Sequence, residues 1–431
     1  MQVDVAAGLR GGGLRIQAGR LRLLRHHHLA APLLGDRRRA ERRGADPRHR
    51  CRAELPARDH RSRLPSVVRR NDGAGAGPWQ TRHAARQSRP GEERGVDEAA
   101  LSPVRAEIDW WGGGKREGRL RVPLSRNDSG WGTVAIPAVV IAHGSGPTVL
   151  LTAGNHGDEY EGQVALLRLA QTLEPAQVQG RVIILPAMHF PAARAGTRLS
   201  PLDGKDLNRC FPGNPRGSFA EVLAHYIDTH LLPMCDAQMD LHSGGTGMEI
   251  VPSAVGHLVD DRGYMERSLA MADAFNAPIT LLLEEVNAGP TLLAAAERRG
   301  VVALSSELGG AGRLSREALA IAEAGVRNVL RHLGILDGRP VTGPHGPSRR
   351  MTVPDLTHYV FAPSDGIWEA ADPLGAAVRA GAAAGRLHAI EQPLRPAQVL
   401  TYGADGLLWC TRAPGRCREG DPVAVIARDM A

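Results

Sequence analysis

From residue 104 onward, apolar positions come in short runs closed by glycine or polar residues. "GRLRVPLSR", "TVAIPAVVIAHG", "PTVLLTAG", "GRVIILPAM", "AQMDLHSG" and "VVALSSELGG" have the apolar density and the Gly, Asp and Asn boundaries of strands. Between them, "EGQVALLRLAQTL", "FAEVLAHYIDTHLLPMC", "MERSLAMADAFNA", "PTLLAAAERRG" and "SREALAIAEAGVRNVLRHLGIL" repeat apolar residues at helical spacing. Ser315 heads the last of these as an N-cap. Strands alternating with helices predict an α/β domain whose largely parallel sheet is covered on both faces. Ligands of such sheets gather beyond the carboxyl ends of the strands.

The first hundred residues follow no such pattern. They hold no Phe, no Tyr and a single Ile, Ile16, and they carry clusters such as "GDRRRAERRGADPRHR". That composition buries too little apolar surface to offset the entropy of ordering. Residues 1–103 are therefore expected to be a disordered or non-native Arg-rich extension. The charge of the chain supports this division. Of its formal +7, residues 1–100 contribute +11 through 22 Arg and 11 acidic residues, leaving the other 331 at −4. With only Lys115 and Lys205 as lysines in 431 residues, the basic excess is a bias towards Arg throughout. A nucleic-acid arm needs stacking aromatics beside its arginines, and Trp79 alone meets that need. No specific nucleic-acid partner is expected.

Five scattered cysteines without a CxxC pair argue against a disulfide framework or a Cys-type zinc site. No apolar run approaches the ~20 residues that span a bilayer. The start lacks the apolar core of a secretory signal, so the expected compartment is the cytoplasm, with no membrane partner.

Candidate chemistry sits where the strands end. "GNHGDEYEG" places His156 and Glu159 directly after an apolar strand, "DLHSGG" places His242 after a second, and "SSELGGAG" places Glu307 after a third. Ionisable groups at such positions are costly to desolvate without partners. A metal ion would supply the compensation. Two imidazoles and a carboxylate with a fourth position open form the ligand set of a hydrolytic zinc site. His-x-x-Glu alone is a weak signal, and three glycine-flanked clusters at strand ends are a much stronger one.

"GNHGDEYEG", "GTRLSPLDGKDLNRCFPG", "DLHSGG" and "ELGGAG" together resemble the succinylglutamate desuccinylase/aspartoacylase family, over about residues 104–431. The resemblance implies a zinc carboxypeptidase-like α/β fold with a doubly wound, mixed but mostly parallel sheet and a small C-terminal all-β domain. It implies one Zn²⁺ per chain on His156, Glu159 and His242, with Glu307 as general base and Arg198 stabilising the oxyanion. Asn208 and Arg209 would grip a substrate carboxylate, the arginine as a bidentate fork. Asp240 is an outer partner of His242, Asp158 a turn or outer residue, and His189 a non-ligand. Glu284 and Glu285 face either a substrate ammonium or solvent.

The C-terminal stretch carries a faint internal repeat. "PSDGIWEAADPLGAAVRAGAAAGRLHAI" and "GADGLLWCTRAPGRCREGDPVAVIA" share a small-Asp-Gly turn, a strand, a Gly turn and a closing strand. Two such halves suit a β-sandwich like a biotinyl or lipoyl carrier domain. No lysine is present there for attachment, so the expected role is to wall the active site. The expected domains are thus a catalytic domain over 104–345 and a capping β-sandwich over 346–431. The expected function is zinc-dependent removal of an acyl group, acetyl foremost, from a small N-acylated amino acid. The chain is free to act as a homo-oligomer. The rival readings are a zinc carboxypeptidase on peptide C-termini and a non-catalytic small-molecule-binding relative.

Overall fold

The computed structural model describes residues 102–284 and 289–430. The expectation for 1–103 therefore falls almost wholly outside the described residues, as does Glu285.

The continuous apolar runs become the centre of the sheet. β4 (Thr148–Ala153) lies parallel to β5 (Gly180–Leu185) on one side and β6 (Ala237–His242) on the other, and β6 lies parallel to β9 (Val302–Gly310). Side chains alternate between faces, as the two-residue period of a strand requires. Leu150, Ile183, Leu185 and Ala303 join one apolar cluster, while Val149, Leu151, Ala153, Met239 and Leu304 join another. The first cluster is covered by helices α3 (Phe219–Tyr226) and α5 (Leu292–Arg298). The second is covered by α1 (Tyr160–Thr172), α4 (Arg262–Phe275) and α6 (Arg316–His332).

Antiparallel strands flank this parallel centre. A long hairpin of β2 (Gly114–Arg126) and β3 (Ser129–His143) continues the sheet beyond β5, with β1 (Arg105–Glu107) beside β2 at its edge. On the other side β7 (Met248–Leu258) runs antiparallel to β9 and parallel to β8 (Ile279–Glu284). The result is a mixed α/β sheet.

Two helices depart from the sequence pattern. The helix predicted over "FAEVLAHYIDTHLLPMC" is α-helical only to Tyr226, then passes through a π turn at Ile227–Leu231 into a 3₁₀ turn at Leu232–Met234. Pro233 has no N–H to donate, so the regular ladder cannot continue through it. The unexpected α2 (Phe190–Ala195) has Pro191 in its first turn and ends at Gly196, where φ is 63°. Among the described residues no helix is long and apolar enough to cross a membrane.

C-terminal to α6 the described chain is built of strands, apart from a 3₁₀ turn at Leu356–His358. β10 (Arg349–Thr352), β11 (Tyr359–Phe361), β12 (Gly366–Ala370), β13 (Ala377–Val378), β14 (Ala383–His388), β15 (Gln398–Thr401), β16 (Gly406–Arg412), β17 (Arg416–Cys417) and β18 (Pro422–Asp429) follow in order. The two halves of the repeat interlock. β12 pairs with β14 of its own half and β17 of the other, and β16 pairs with β18 of its own half and β13 of the other. Trp368, Leu387, Leu408, Tyr402, Val423 and Ile426 fill the space between the two layers.

The sheet does not stop at residue 345. β10 runs parallel to β8, and β16 pairs antiparallel with β7 at Cys410↔Ile250. Alternate residues of the same strands, Cys410, Val425 and Ala427, pack with Ile250, Ile279 and Leu281 of the preceding sheet.

Candidate metal centre and active site

Because β4, β6 and β9 are consecutive in the sheet, the three polar clusters that follow β4, end β6 and sit in the last half of β9 come together. Neighbouring strands lie only about 4.8 Å apart. His242 and Glu307 are direct register partners.

The glycines of "GNHGDEYEG" make the first loop possible. Gly154 turns the chain out of β4 at φ 65°, a conformation costly to residues with a Cβ. A Cβ at Gly157 would stand 2.0 Å from backbone atoms of Ala192, and one at Gly162 would stand 2.4 Å from Leu241 Cβ. The loop is thus pressed between α2 and β6, and α1 starts immediately after Glu159.

The potential ligand atoms of His156, Glu159 and His242 all lie within 4.8 Å of one another, and the three residues are buried. His156 Nδ1 is 2.6 Å from Glu159 Oε1, and His242 Nδ1 is 2.8 Å from Glu159 Oε2. Each outer nitrogen also meets a carboxylate: His156 Nε2 is 3.0 Å from Asp206 Oδ1, and His242 Nε2 is 2.8 Å from Asp240 Oδ2. Asp240 is held in turn by Thr152 Oγ1 at 2.7 Å and Asn155 Nδ2 at 2.8 Å. This arrangement fits a divalent cation. Two Nδ1 atoms and a carboxylate converge, while the outer carboxylates orient each ring, as is usual for metal-bound histidine.

The electrostatics agree. Burial alone would lower the pKa of His242, but Asp240 and Glu159 raise it well above the ordinary value. Burial likewise opposes the charged form of His156, and Glu159 and Asp206 overcome it. Glu159 is held below the usual carboxylate range by the two imidazoles despite its burial. The carboxylates of the cluster thus favour positive charge on its two imidazoles.

Glu307 is the opposite case. Burial, reinforced by the neighbouring Glu159 charge, pushes its carboxyl up to about 8. Its Oε2 atom is buried and has no hydrogen-bond partner among the described residues. A carboxyl in this state can hold or release a proton near neutral pH.

The loop "TRLSPLDGKDLNRCFPG" folds over the cluster. Arg198 Nη2 donates to Asp206 Oδ2 at 3.0 Å, and its Nη1 lies 3.9 Å from Glu159 Oε1. Asn208 and Arg209 form a 3₁₀ turn capped by Asp206, which accepts from Asn208 N at 2.9 Å. The Asn208 amide nitrogen is 3.4 Å from His242 Nε2, while its oxygen accepts from Leu292 N at 2.9 Å. Arg209 is exposed, with Nη1 donating to Asn208 O. The fold thus brings His156, Glu159, His242, Glu307, Arg198 and Asn208 around one point, with Arg209 on the adjoining rim.

Other acidic residues have separate attachments. Asp158 accepts from the backbone N and Oγ1 of Thr246, and Glu161 accepts from Ser315 N. Glu284 is exposed at the end of β8. Asp206 was not singled out by the sequence, although it touches His156, Arg198 and Asn208 at once. The only hint was its place in a polar loop rich in turn residues.

The family model described as the succinylglutamate desuccinylase/aspartoacylase catalytic domain matches residues 145–333. The chain is 41% identical to N-alpha-acetyl-L-2,4-diaminobutyric acid deacetylase of Halomonas elongata, over 78% of this chain and 97% of that one. Among solved structures it is similar to a succinylglutamate desuccinylase/aspartoacylase from Rhodobacter sphaeroides, with a TM-score of 0.74, 46% identity, and coverage of 77% of this chain and 100% of that one. The product-bound ectoine utilization protein EutE from Ruegeria pomeroyi gives a TM-score of 0.74 at 41% identity, covering 76% and 99%.

Proposed function

Since this chain belongs to the succinylglutamate desuccinylase/aspartoacylase family, we propose that it is a zinc-dependent amidohydrolase that deacetylates N-α-acetyl-L-2,4-diaminobutyrate in ectoine breakdown. The observation that carries this reading is the buried His156–Glu159–His242 cluster with Glu307, unpartnered at Oε2, in register beside it. The substrate comes from the relative in Halomonas elongata, and the metabolic setting from the ectoine utilization protein.

Zinc held by these three side chains supplies a Lewis acid and brings the pKa of water to about 7. The remaining steps fall to the protein's own groups. Glu307 takes a proton from the attacking water at its carboxylate and returns it to the leaving amine nitrogen. Arg198 offers N–H groups to the carbonyl oxygen as it gains negative charge. Asn208 and Arg209 hold the α-carboxylate of the substrate. The C-terminal β-sandwich over 346–431 walls the cleft and restricts it to small amides.

The test is a substrate panel on the zinc-loaded chain: N-α-acetyl-L-2,4-diaminobutyrate, N-acetylaspartate, N-succinylglutamate and dipeptides with free C-termini. The expected outcome is a kcat/KM for the first at least about tenfold above the others, a difference of ~1.4 kcal/mol in transition-state binding. Comparable turnover of the dipeptides would instead assign the chain to carboxypeptidase chemistry.

A further inference from the structure

His189 stands at the N-cap position of α2, where a short polar side chain ordinarily accepts from the helix's own N–H groups. It makes no such bond. The ring is fully buried, stacked on Phe219 with centroids 6.2 Å apart, and turned towards the loop that carries His156. There His189 Nδ1 is 3.1 Å from the backbone oxygen of Asn155. A carbonyl oxygen only accepts, so Nδ1 carries the proton. The remaining nitrogen, Nε2, is buried without a hydrogen-bond partner among the described residues. A buried lone pair is tolerated better than a buried unmet N–H, which favours the same tautomer.

Asn155 occupies a pivotal place. Its carbonyl belongs to the peptide unit that leads into His156, so holding that oxygen fixes the plane from which the His156 side chain departs. Its side chain donates at 2.8 Å to Asp240 Oδ2, the same oxygen that lies 2.8 Å from His242 Nε2. One residue thus reaches both imidazoles, the first through the backbone and the second through a carboxylate. The surrounding backbone bonds brace the same loop: Met188 N donates to Ala153 O at 2.8 Å, His189 N to Gly154 O at 3.0 Å, and Gly157 N to Thr197 O at 2.9 Å.

We propose that His189 is a positioning residue for the metal centre: its Nδ1–H locks the Asn155 peptide and thereby orients His156 directly and His242 through Asp240. The inference rests on the metal-centre reading above. Burial lowers the pKa of His189, consistent with a neutral ring that donates from one nitrogen. It acts without touching substrate or metal.

The test uses the full chain and zinc alone as probe. Zinc affinity is measured by chelator competition for the parent, His189→Leu and His189→Asn. Leucine fills similar space without a donor, whereas the asparagine amide nitrogen can occupy the place of Nδ1. Loss of an outer partner typically weakens metal affinity by about 10–100-fold, so His189→Leu should bind zinc at least about tenfold more weakly. His189→Asn should stay within about threefold of the parent, since its donor is kept. Affinity unchanged in His189→Leu, or weakened equally in both variants, would overturn the proposal, the latter by assigning the role to ring packing. A third readout needs no stable apolar variant. ¹⁵N-histidine NMR of the zinc-loaded parent, with His189 assigned by its absence in His189→Asn, should show the Nδ1–H tautomer; the Nε2–H tautomer would overturn the idea. A parent that binds no stoichiometric zinc sinks the functional reading itself, and one that binds it indifferently to residue 189 sinks only this inference.

Discussion

The two sides of the candidate site are built differently. On the strand side, His156, Glu159 and His242 are each at most 5% exposed, and each imidazole has both nitrogens engaged. On the loop side, the Arg198 side chain is 48% exposed and Arg209 is exposed, its guanidinium donating to the neighbouring Asn208 carbonyl. Strand ends hold side chains in place with little left to order, which suits the proposed role of binding a cation and positioning a base. In the proposed function, the cationic groups of the loop would settle around an anionic substrate as it arrives. Damage to the strand side should therefore remove the chemistry, and damage to the loop side should weaken recognition. Asp206, which touches both, is where the two could fail together.

The largest expected effect tests the strand side. His242→Ala removes one of the three proposed ligands and should abolish stoichiometric zinc, with activity falling to background. Elemental analysis checks this directly; one zinc per chain in that variant would show that the ligand set lies elsewhere.

A smaller loss is expected where the metal is kept but proton transfer is not. Glu307→Gln should lower kcat by a factor of about 10² with zinc retained. The same residue has a pH signature. Burial and the Glu159 charge push its carboxyl up to about 8, against an ordinary 4.5, so it holds its proton at pH 7. A divalent cation nearby favours the carboxylate, and zinc uptake at pH 7 should therefore release protons, fewer at pH 9. Calorimetry in buffers of different ionisation enthalpy should find less release in Glu307→Gln at pH 7. Equal release would show that Glu307 is already ionised. The folded chain also binds more protons at this group than the unfolded chain between pH 4.5 and 8, so this group's contribution to stability falls as pH rises across that window.

The smallest effect belongs to the loop. Arg209→Lys keeps the charge but loses the planar fork, and should raise KM by about tenfold with kcat nearly unchanged. A fall in kcat with unchanged KM would place Arg209 in the chemistry and erase the distinction between the two sides.

The same contrast explains what was legible in the sequence. His156 and Glu159 follow a buried strand, His242 ends one, and Glu307, expected after its strand, lies within β9; in each case apolar continuity meeting an ionisable residue near glycine leaves a mark on the chain. Asp206 and His189 lie in turn-rich segments without periodicity, and their importance depends on meeting His156 and Asn155 from 50 and 34 positions away. No local pattern records such a meeting. α2 leaves no mark in the sequence because six residues with a proline in the first turn are too short for helical spacing to show. The repeat after residue 346 was visible in its turns, but the exchange of short strands between its halves was not, because β13 and β17 are two residues each.

That exchange constrains how the chain can change over evolutionary time. Each copy of the repeat completes its sheet with a strand lent by the other, so neither copy is an independent module that could be lost, duplicated again or shifted in register alone. An insertion that moved β13 along the chain would disturb β16, and β16 is paired with β7 one strand away from Glu307. Length changes in this distal segment should thus be confined to its surface turns, and the two copies must drift together.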